Sequence, residues 1–416
     1  MRTTRFSELS PSFYAKYSCE ELPVVREIFD AVNAEGDNAV RYYTEKFDKV
    51  CPAQFEVSKE QVGAAYADVD KDTLDAIKKA ASNIEKFARL QLASSKDFET
   101  QNDGITLGQK TIPLETVGCY VPGGRYPLPS TALMTVIPAK VAGVKNIVVC
   151  SPKIAAATIV AADLAGATRI FAIGGIQAVA AMAFGTQSVP AVDKIVGPGN
   201  KYVAAAKKQA FGAVGIDFIA GPSEVLVIAD DSADASLVAA DLLAQAEHDP
   251  LARSDLVTDS EAFAKKVEAE VAVHLEVLST KEVARQSIAN GTIVIVDSLA
   301  DAVEVANRCA PEHLEVQVKN PDAILSKLKN YGSLFVGKYC AEVFGDYSSG
   351  TNHSLPTSGA ARYTGGLSVR EFVKVVTYQR ADKKPSAEMI NAAVALAKTE
   401  GLAGHENAAR LRLNSQ

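Results

Sequence analysis

The chain has no tryptophan, and its six cysteines lie at least 31 positions apart in 416 residues. Without a Cys-x-x-Cys pair there is no basis for a zinc knuckle or a dithiol redox motif. Cys19, Cys51, Cys119, Cys150, Cys309 and Cys340 read instead as buried or free thiols of a reducing, cytoplasmic compartment. Basic excess is absent too: 43 Lys and Arg stand against 50 Asp and Glu, a net charge of -7. That lacks the basic footprint of a nucleic-acid-binding protein. No stretch of ~18 apolar residues occurs, so no membrane span is expected. Met1–Tyr14 has no apolar centre and no small-residue cleavage site, so no secretory signal is expected. P-loop, Gly-x-Ser-x-Gly and His-Glu-x-x-His patterns are missing, which leaves those chemistries unsupported.

What is present is an ordinary globular composition, 48% hydrophobic and 22% charged. The length suits two or more domains at ~100–200 residues each. Residues 22–47 and 70–92 carry apolar side chains at helical spacing (Val24, Ile28, Val32; Leu74, Ile77, Ala81, Ile84), with Asp72 or Thr73 as a cap for the second helix. From about Thr116 short apolar runs alternate with Ala-rich helical stretches. Val117–Val121, Asn146–Cys150, Arg169–Ile173 and Lys194–Val196 read as strands, and after Ala220 so do Glu224–Ile228, Asp255–Thr258 and Thr292–Val296. Helices are expected at 234–247, 260–277, 298–308 and 386–399. This alternation predicts an α/β fold with parallel sheets.

Four of the five histidines sit in polar or glycine-rich surroundings. His274, in a helix with Glu268, Glu270 and Glu276, reads as surface. Gln245 and His248 are three apart at a helix end and so share a face. They are either a cap or part of a metal shell that Asp346 would complete with oxygen. Glu312-His313 sets an acid beside a base, as two-step proton transfer requires; the plainer reading is a loop or helix start. Gly197-Pro-Gly199-Asn200 is a strand-to-helix turn where a pyrophosphate could approach the backbone. The third glycine of Gly-x-Gly-x-x-Gly is replaced by Tyr202, so a simple tight turn is equally open. Gly174-Gly175 is a similar signal. The remaining histidines of interest are His353, after Asn352, and His405, in Glu400-Gly-Leu-Ala-Gly-His405.

Together these stretches resemble the histidinol dehydrogenase family. The matching segments are YVPGG at 120–124, IPAKVAGV at 137–144, IGGIQA from Ile173, VDKIVGPGN at 192–200, AGPSEVLVIAD at 220–230, QAEHDP at 245–250, APEHLE at 310–315, Gly345-Asp346 and NHSLPT at 352–357. They run in order through nearly the whole chain.

The resemblance implies oxidation of L-histidinol to L-histidine through L-histidinal with two NAD, the last step of histidine biosynthesis. It implies one zinc per subunit, held by Gln245, His248, Asp346 and a partner's His405, and hence a homodimer. His313 and Glu312 would be the bases. Ser223, His353 and Glu400 would join the zinc ligands and His313 in contacting substrate; Tyr120, Gln177 and Asn200 would contact NAD. The implied fold is two Rossmann-like domains with discontinuous connectivity: an arm at 1–10, a larger domain of 11–119 with 225–367, a smaller NAD-binding domain at 120–224, and a helical tail at 368–416 exchanged in the dimer. The same scaffold serves a group similar to sulfopropanediol 3-dehydrogenase. The segments at 118–127, 330–335, 361–367 and 377–379 lean that way, whereas 129–134, Ser223 and Asp249 lean toward histidinol. An anionic sulfonate would call for a cation such as Arg125 or Arg362. A non-catalytic binding protein is the remaining alternative, opposed by the presence of every ligand and base candidate.

Overall fold

The structure, a computed structural model, describes residues 1–15, 19–123 and 126–414. In chain order the elements are β1 (Arg2–Arg5), α1 (Pro23–Glu35), α2 (Asp37–Asp48), α3 (Lys59–Asp68), α4 (Lys71–Ala93), β2 (Phe98–Asn102), β3 (Ile105–Pro113), β4 (Thr116–Tyr120), α5 (Pro129–Ala142), β5 (Asn146–Cys150), α6 (Ala156–Ala165), β6 (Arg169–Phe171), α7 (Gly175–Phe184), β7 (Lys194–Val196), α8 (Lys201–Ala210) and β8 (Gly215–Ile216). There follow β9 (Glu224–Ala229), α9 (Ala235–Ala246), β10 (Arg253–Thr258), α10 (Glu261–Val277), α11 (Lys281–Asn290), β11 (Thr292–Ile295), α12 (Leu299–Cys309), β12 (His313–Gln317), α13 (Asp322–Leu325), β13 (Ser333–Val336), α14 (Glu342–Tyr347), β14 (Val373–Arg380), α15 (Ala387–Thr399) and α16 (Ala403–Asn414).

Two parallel sheets form the frame. One has the order β6-β5-β4-β7-β8, the other β11-β10-β9-β12-β13 with β1 added at the β11 edge. In each, the first strand in sequence lies at the centre and the order reverses beside it, the topology of a doubly wound sheet. The strands are Val- and Ile-rich on both faces because helices cover both faces. Val225, Val227 and Ala229 pack under α9, α10 and α11, while Leu226, Ile228, Leu314 and Val316 pack under α12 and α13. The third sheet is antiparallel, β14-β3-β2. Its strands are exposed and mixed in polarity, so the alternation that marks buried strands is absent, and the sequence did not suggest them.

Three expectations are corrected. Residues 22–47 form two helices rather than one. The first buries Val25, Ile28, Phe29 and Val32, and Gly36, at φ 58°, turns the chain into the second. The cap of α4 is Asp70, whose carboxylate accepts from the Thr73 N–H at 2.9 Å, not Asp72 or Thr73. Finally, α1 to α4 pack on the five-stranded sheet: Ile28 and Val40 share a core with Val179 and Ile195, and Ile77 and Ile84 share one with Leu133 and Val149. The grouping of 11–119 with 225–367 therefore does not describe the packing of these helices, whose apolar faces match α5 to α8. The N-terminal segment joins the six-stranded side, through Met1, the β1–β11 pairing, Phe6, Leu9 and Phe13.

Candidate functional site

The two sheets meet across a cavity of about 460 Å³. The five-stranded sheet presents its carboxyl edge: Pro122 follows β4, and Pro198, Gly199 and Asn200 follow β7. That is the switch point where doubly wound sheets receive ligands. The six-stranded sheet presents its amino edge instead. Ser223 precedes β9, Glu312 precedes β12, and His313 is the first residue of β12. Gln245 and His248 reach the same edge because α9 runs back antiparallel to its strand.

Glu312 and His313 open a central buried strand, contrary to the loop or helix-start reading. The device is Ala310. After α12 it takes the left-handed conformation, φ 51° and ψ 59°, which reverses the chain directly into Pro311 and β12. His313 pairs with Val225 on one side and Ser333 on the other. It is 3% exposed. Its Nδ1 lies 3.1 Å from the Glu224 carbonyl oxygen and donates to it. This leaves Nε2 buried without a hydrogen-bond partner, 3.5 Å from Asp346 Oδ1. Burial opposes protonation of this ring, but the Glu312 and Glu342 carboxylates outweigh it and hold His313 well above the ordinary imidazole range. Burial pushes Glu312 up to about 7, with His313 pulling the other way. Its Oε2 accepts from the Glu224 N–H at 2.9 Å.

Asp346 ends the short α14. Burial, the largest influence, raises it, but the His313 contact together with the nearby His353 and His248 holds it below the usual carboxylate range. His353 is aimed by its neighbours. Asn352 donates to the Met134 carbonyl at 2.7 Å, His353 Nδ1 bonds the Asp346 carbonyl at 2.8 Å, and Nε2 lies 3.3 Å from Thr131 Oγ1. Gln245 is fully buried, and its Oε1 has no partner, while its Nε2 lies 3.2 Å from His248 Nδ1.

The cavity thus gathers Asn200, Ser223, Gln245, His248, Glu312, His313, Asp346 and His353. Tyr120, the last residue of β4, and Gln177, in the first turn of α7, are buried outside its lining. Tyr120 Oη accepts from the Gly175 N–H at 3.0 Å, burial pushes its hydroxyl up to about 12, and Gln177 Oε1 is buried and unpartnered. Asn200 caps α8, accepting from Tyr202 and Val203 N–H. Glu400 and His405 stand exposed on the C-terminal helices, outside the cavity lining. Among the described residues, no three His, Cys, Asp or Glu side chains are grouped to hold a metal. Arg125 lies outside the described residues. Arg362 donates to the carbonyls of Gly359 and Arg308, away from the cavity. His274 is half-buried and bonds Ser236.

Two carboxylates had escaped the sequence reading. Glu342 is fully buried, 3.7 Å from His313 Nδ1, and both its oxygens lack hydrogen-bond partners. Glu224 is pushed up to about 7 by burial. The only signal either offers is adjacency, Glu224 to Ser223 and Glu342 to the Gly345-Asp346 pair.

A model of the histidinol dehydrogenase family matches residues 15–413. The chain is 47% identical over 399 residues to a histidinol dehydrogenase of Methanocaldococcus jannaschii, covering 95% of this chain and 93% of the relative. It is 49% identical over 393 residues to that of Aquifex aeolicus, covering 94% and 92%. The crystal structure of histidinol dehydrogenase from Elizabethkingia anophelis superposes with a TM-score of 0.93 at 38% identity, covering 99% of this chain and 98% of that one. The chain belongs to the histidinol dehydrogenase family.

Proposed function

We propose that the chain is a zinc-dependent, NAD-linked dehydrogenase that oxidises L-histidinol to L-histidine in two hydride transfers. The observation that carries this reading is the buried pair at the cavity wall: His313 with a free Nε2, beside Glu312 with a carboxyl near neutrality. In the first oxidation His313 would take the hydroxyl proton as the carbinol carbon gives up hydride, which NAD would accept, leaving the aldehyde. Glu312 then takes a proton from water as its oxygen adds to the aldehyde carbon. Loss of a second hydride from that carbon, which a second NAD would accept, leaves the carboxylic acid, and release of its proton to solvent gives the carboxylate. A base whose pKa lies near operating pH suits Glu312 to its step.

The donor chemistry fits zinc. Gln245 offers an unpartnered buried carbonyl oxygen, His248 an imidazole and Asp346 a carboxylate, a borderline set for a borderline metal. His405 of the partner subunit would complete it, since this chain's own is remote. The metal would orient the substrate through its nitrogens. For NAD, the unpartnered Gln177 Oε1, Tyr120, and the turn ending at Asn200 supply polar groups at the switch point. Ser223 and His353, with Glu400 of the partner subunit, would contact substrate. We infer a homodimer exchanging the tail 368–416, with the NAD-binding unit centred on 120–224.

Histidinol rather than a sulfonate is the substrate that the similar proteins support. Among the described residues lining the cavity, Lys201 is the cation, and its ammonium sits over the Tyr202 ring at 5.3 Å. The test is NADH formed per L-histidinol consumed, with zinc and NAD supplied. Two per substrate with histidine as product is expected; no NADH from a zinc-loaded protein would overturn the reading.

A further inference from the structure

The proposed chemistry leaves one buried ion pair unused. Lys207, on α8, and Asp217, just after β8, have side chains 3% and 0% exposed and contact each other directly. Isolated charges are not kept from water without compensation, and here it comes from the backbone of Gly197 and Phe218. Lys207 Nζ donates to the Gly197 carbonyl at 2.9 Å. Asp217 Oδ2 accepts from the Gly197 N–H at 2.8 Å, and its Oδ1 accepts from the Phe218 N–H at 2.7 Å. The Lys207 ammonium also lies 5.7 Å from the Phe218 ring centre.

Gly197 is held on its remaining side as well. Its φ is 110°, and a Cβ there would stand 2.1 Å from the Tyr120 carbonyl oxygen. Gly197 is therefore fixed between the carboxyl ends of β4 and β8 by two opposite charges and its close approach to the Tyr120 carbonyl. Both chain segments leaving this point line the cavity. Pro198–Lys201 runs on from Gly197, and Ala220–Ser223 runs on from Phe218.

We propose that Lys207 and Asp217 are positioning residues, whose buried pair sets the Gly197–Asn200 turn against the Phe218–Ser223 segment and so fixes where the dinucleotide lies relative to the substrate. Neither residue touches the cavity; both act through Gly197 and Phe218. The inference rests on the NAD-linked reading. Misplacement of a bound reactant by a fraction of an ångström to an ångström is costly to turnover even when the chemical groups are intact.

The experiment compares Lys207→Met/Asp217→Leu, in which no charge is left unpaired, with the wild-type zinc-loaded protein. NADH binding is followed by its own fluorescence, and KM for NAD and for L-histidinol by steady-state rates. The expected result is a cooperatively melting variant with wild-type zinc content, NADH affinity and KM for NAD weakened about tenfold or more, and KM for L-histidinol within about twofold. A folded double variant with wild-type NADH affinity and KM for NAD overturns the proposal. Should the double variant not fold, Lys207→Arg, which keeps the charge but changes its reach, takes its place: a severalfold loss of NADH affinity supports the proposal and wild-type affinity overturns it. Wild-type protein that binds no NADH overturns the NAD-linked reading itself, and this inference with it.

Discussion

His313 Nδ1 sits 3.1 Å from the Glu224 carbonyl oxygen, across the strand pairing that sets His313 opposite Val225. A ring that donates from Nδ1 to a backbone carbonyl keeps Nε2 as its acceptor, and Nε2 is the nitrogen left without a partner. In the neutral ring this arrangement leaves Nε2 as the nitrogen open to a proton, the role proposed for it. His313→Ala is expected to lower turnover by about 10²–10⁴-fold while zinc content, measured by atomic absorption, stays at the wild-type level. Loss of the metal in that variant would contradict its assignment as base rather than ligand.

Glu312 gives the second oxidation a pH dependence. Burial raises its carboxyl to about 7, and a base acts in its ionised form. The rate of aldehyde oxidation is therefore expected to rise with pH through about 7. Glu312→Gln should remove that limb and bring NADH yield down from two toward one per histidinol. An unchanged yield of two in a pure variant would assign the water-activating step elsewhere.

Metal content tests the ligand set directly. His248→Ala and Asp346→Ala are each expected to be zinc-depleted after dialysis, with retained secondary structure by circular dichroism. Wild-type zinc occupancy in both would remove the site. His405 stands exposed and away from the cavity, so a shared site predicts complementation. Mixing inactive His248→Ala with inactive His405→Ala, followed by subunit exchange, should restore part of the activity; a verified heterodimer that stays inactive would exclude a partner ligand.

Glu224 offers a stability measurement separate from catalysis. Its carboxyl faces Arg253, Asp255 and Glu312 and is raised from 4.5 to about 7. The folded state then holds the proton more tightly than the unfolded chain. This favourable contribution is complete below about pH 4.5 and is lost as pH rises through about 7. Glu224→Gln should suppress that loss, by on the order of 3 kcal/mol at most, between pH 5 and 8. Denaturant midpoints for wild type and variant that stay parallel across this range would show that Glu224 does not titrate so.

The sequence by itself determined the α/β class and most parallel strands, and it nominated the residues proposed to carry chemistry. Runs such as Glu224–Ala229 are apolar on both faces because both faces are covered, and that local composition is legible without any fold. Resemblance through ordered motifs nominated Glu312, His313, Gln245, His248 and Asp346, which line one cavity. Only the tertiary structure decided which edge of each sheet faces the cavity, that His313 begins a strand rather than a loop, and that α1 to α4 cover the five-stranded sheet. It also joined Glu342 to His313, 29 positions away in sequence, at 3.7 Å, and Lys207 to Asp217 around Gly197. The physical reason is that helical and strand periods report only which side of an element is buried. What lies against that side, and which charges are drawn from water to meet there, depends on long-range packing that no local pattern encodes.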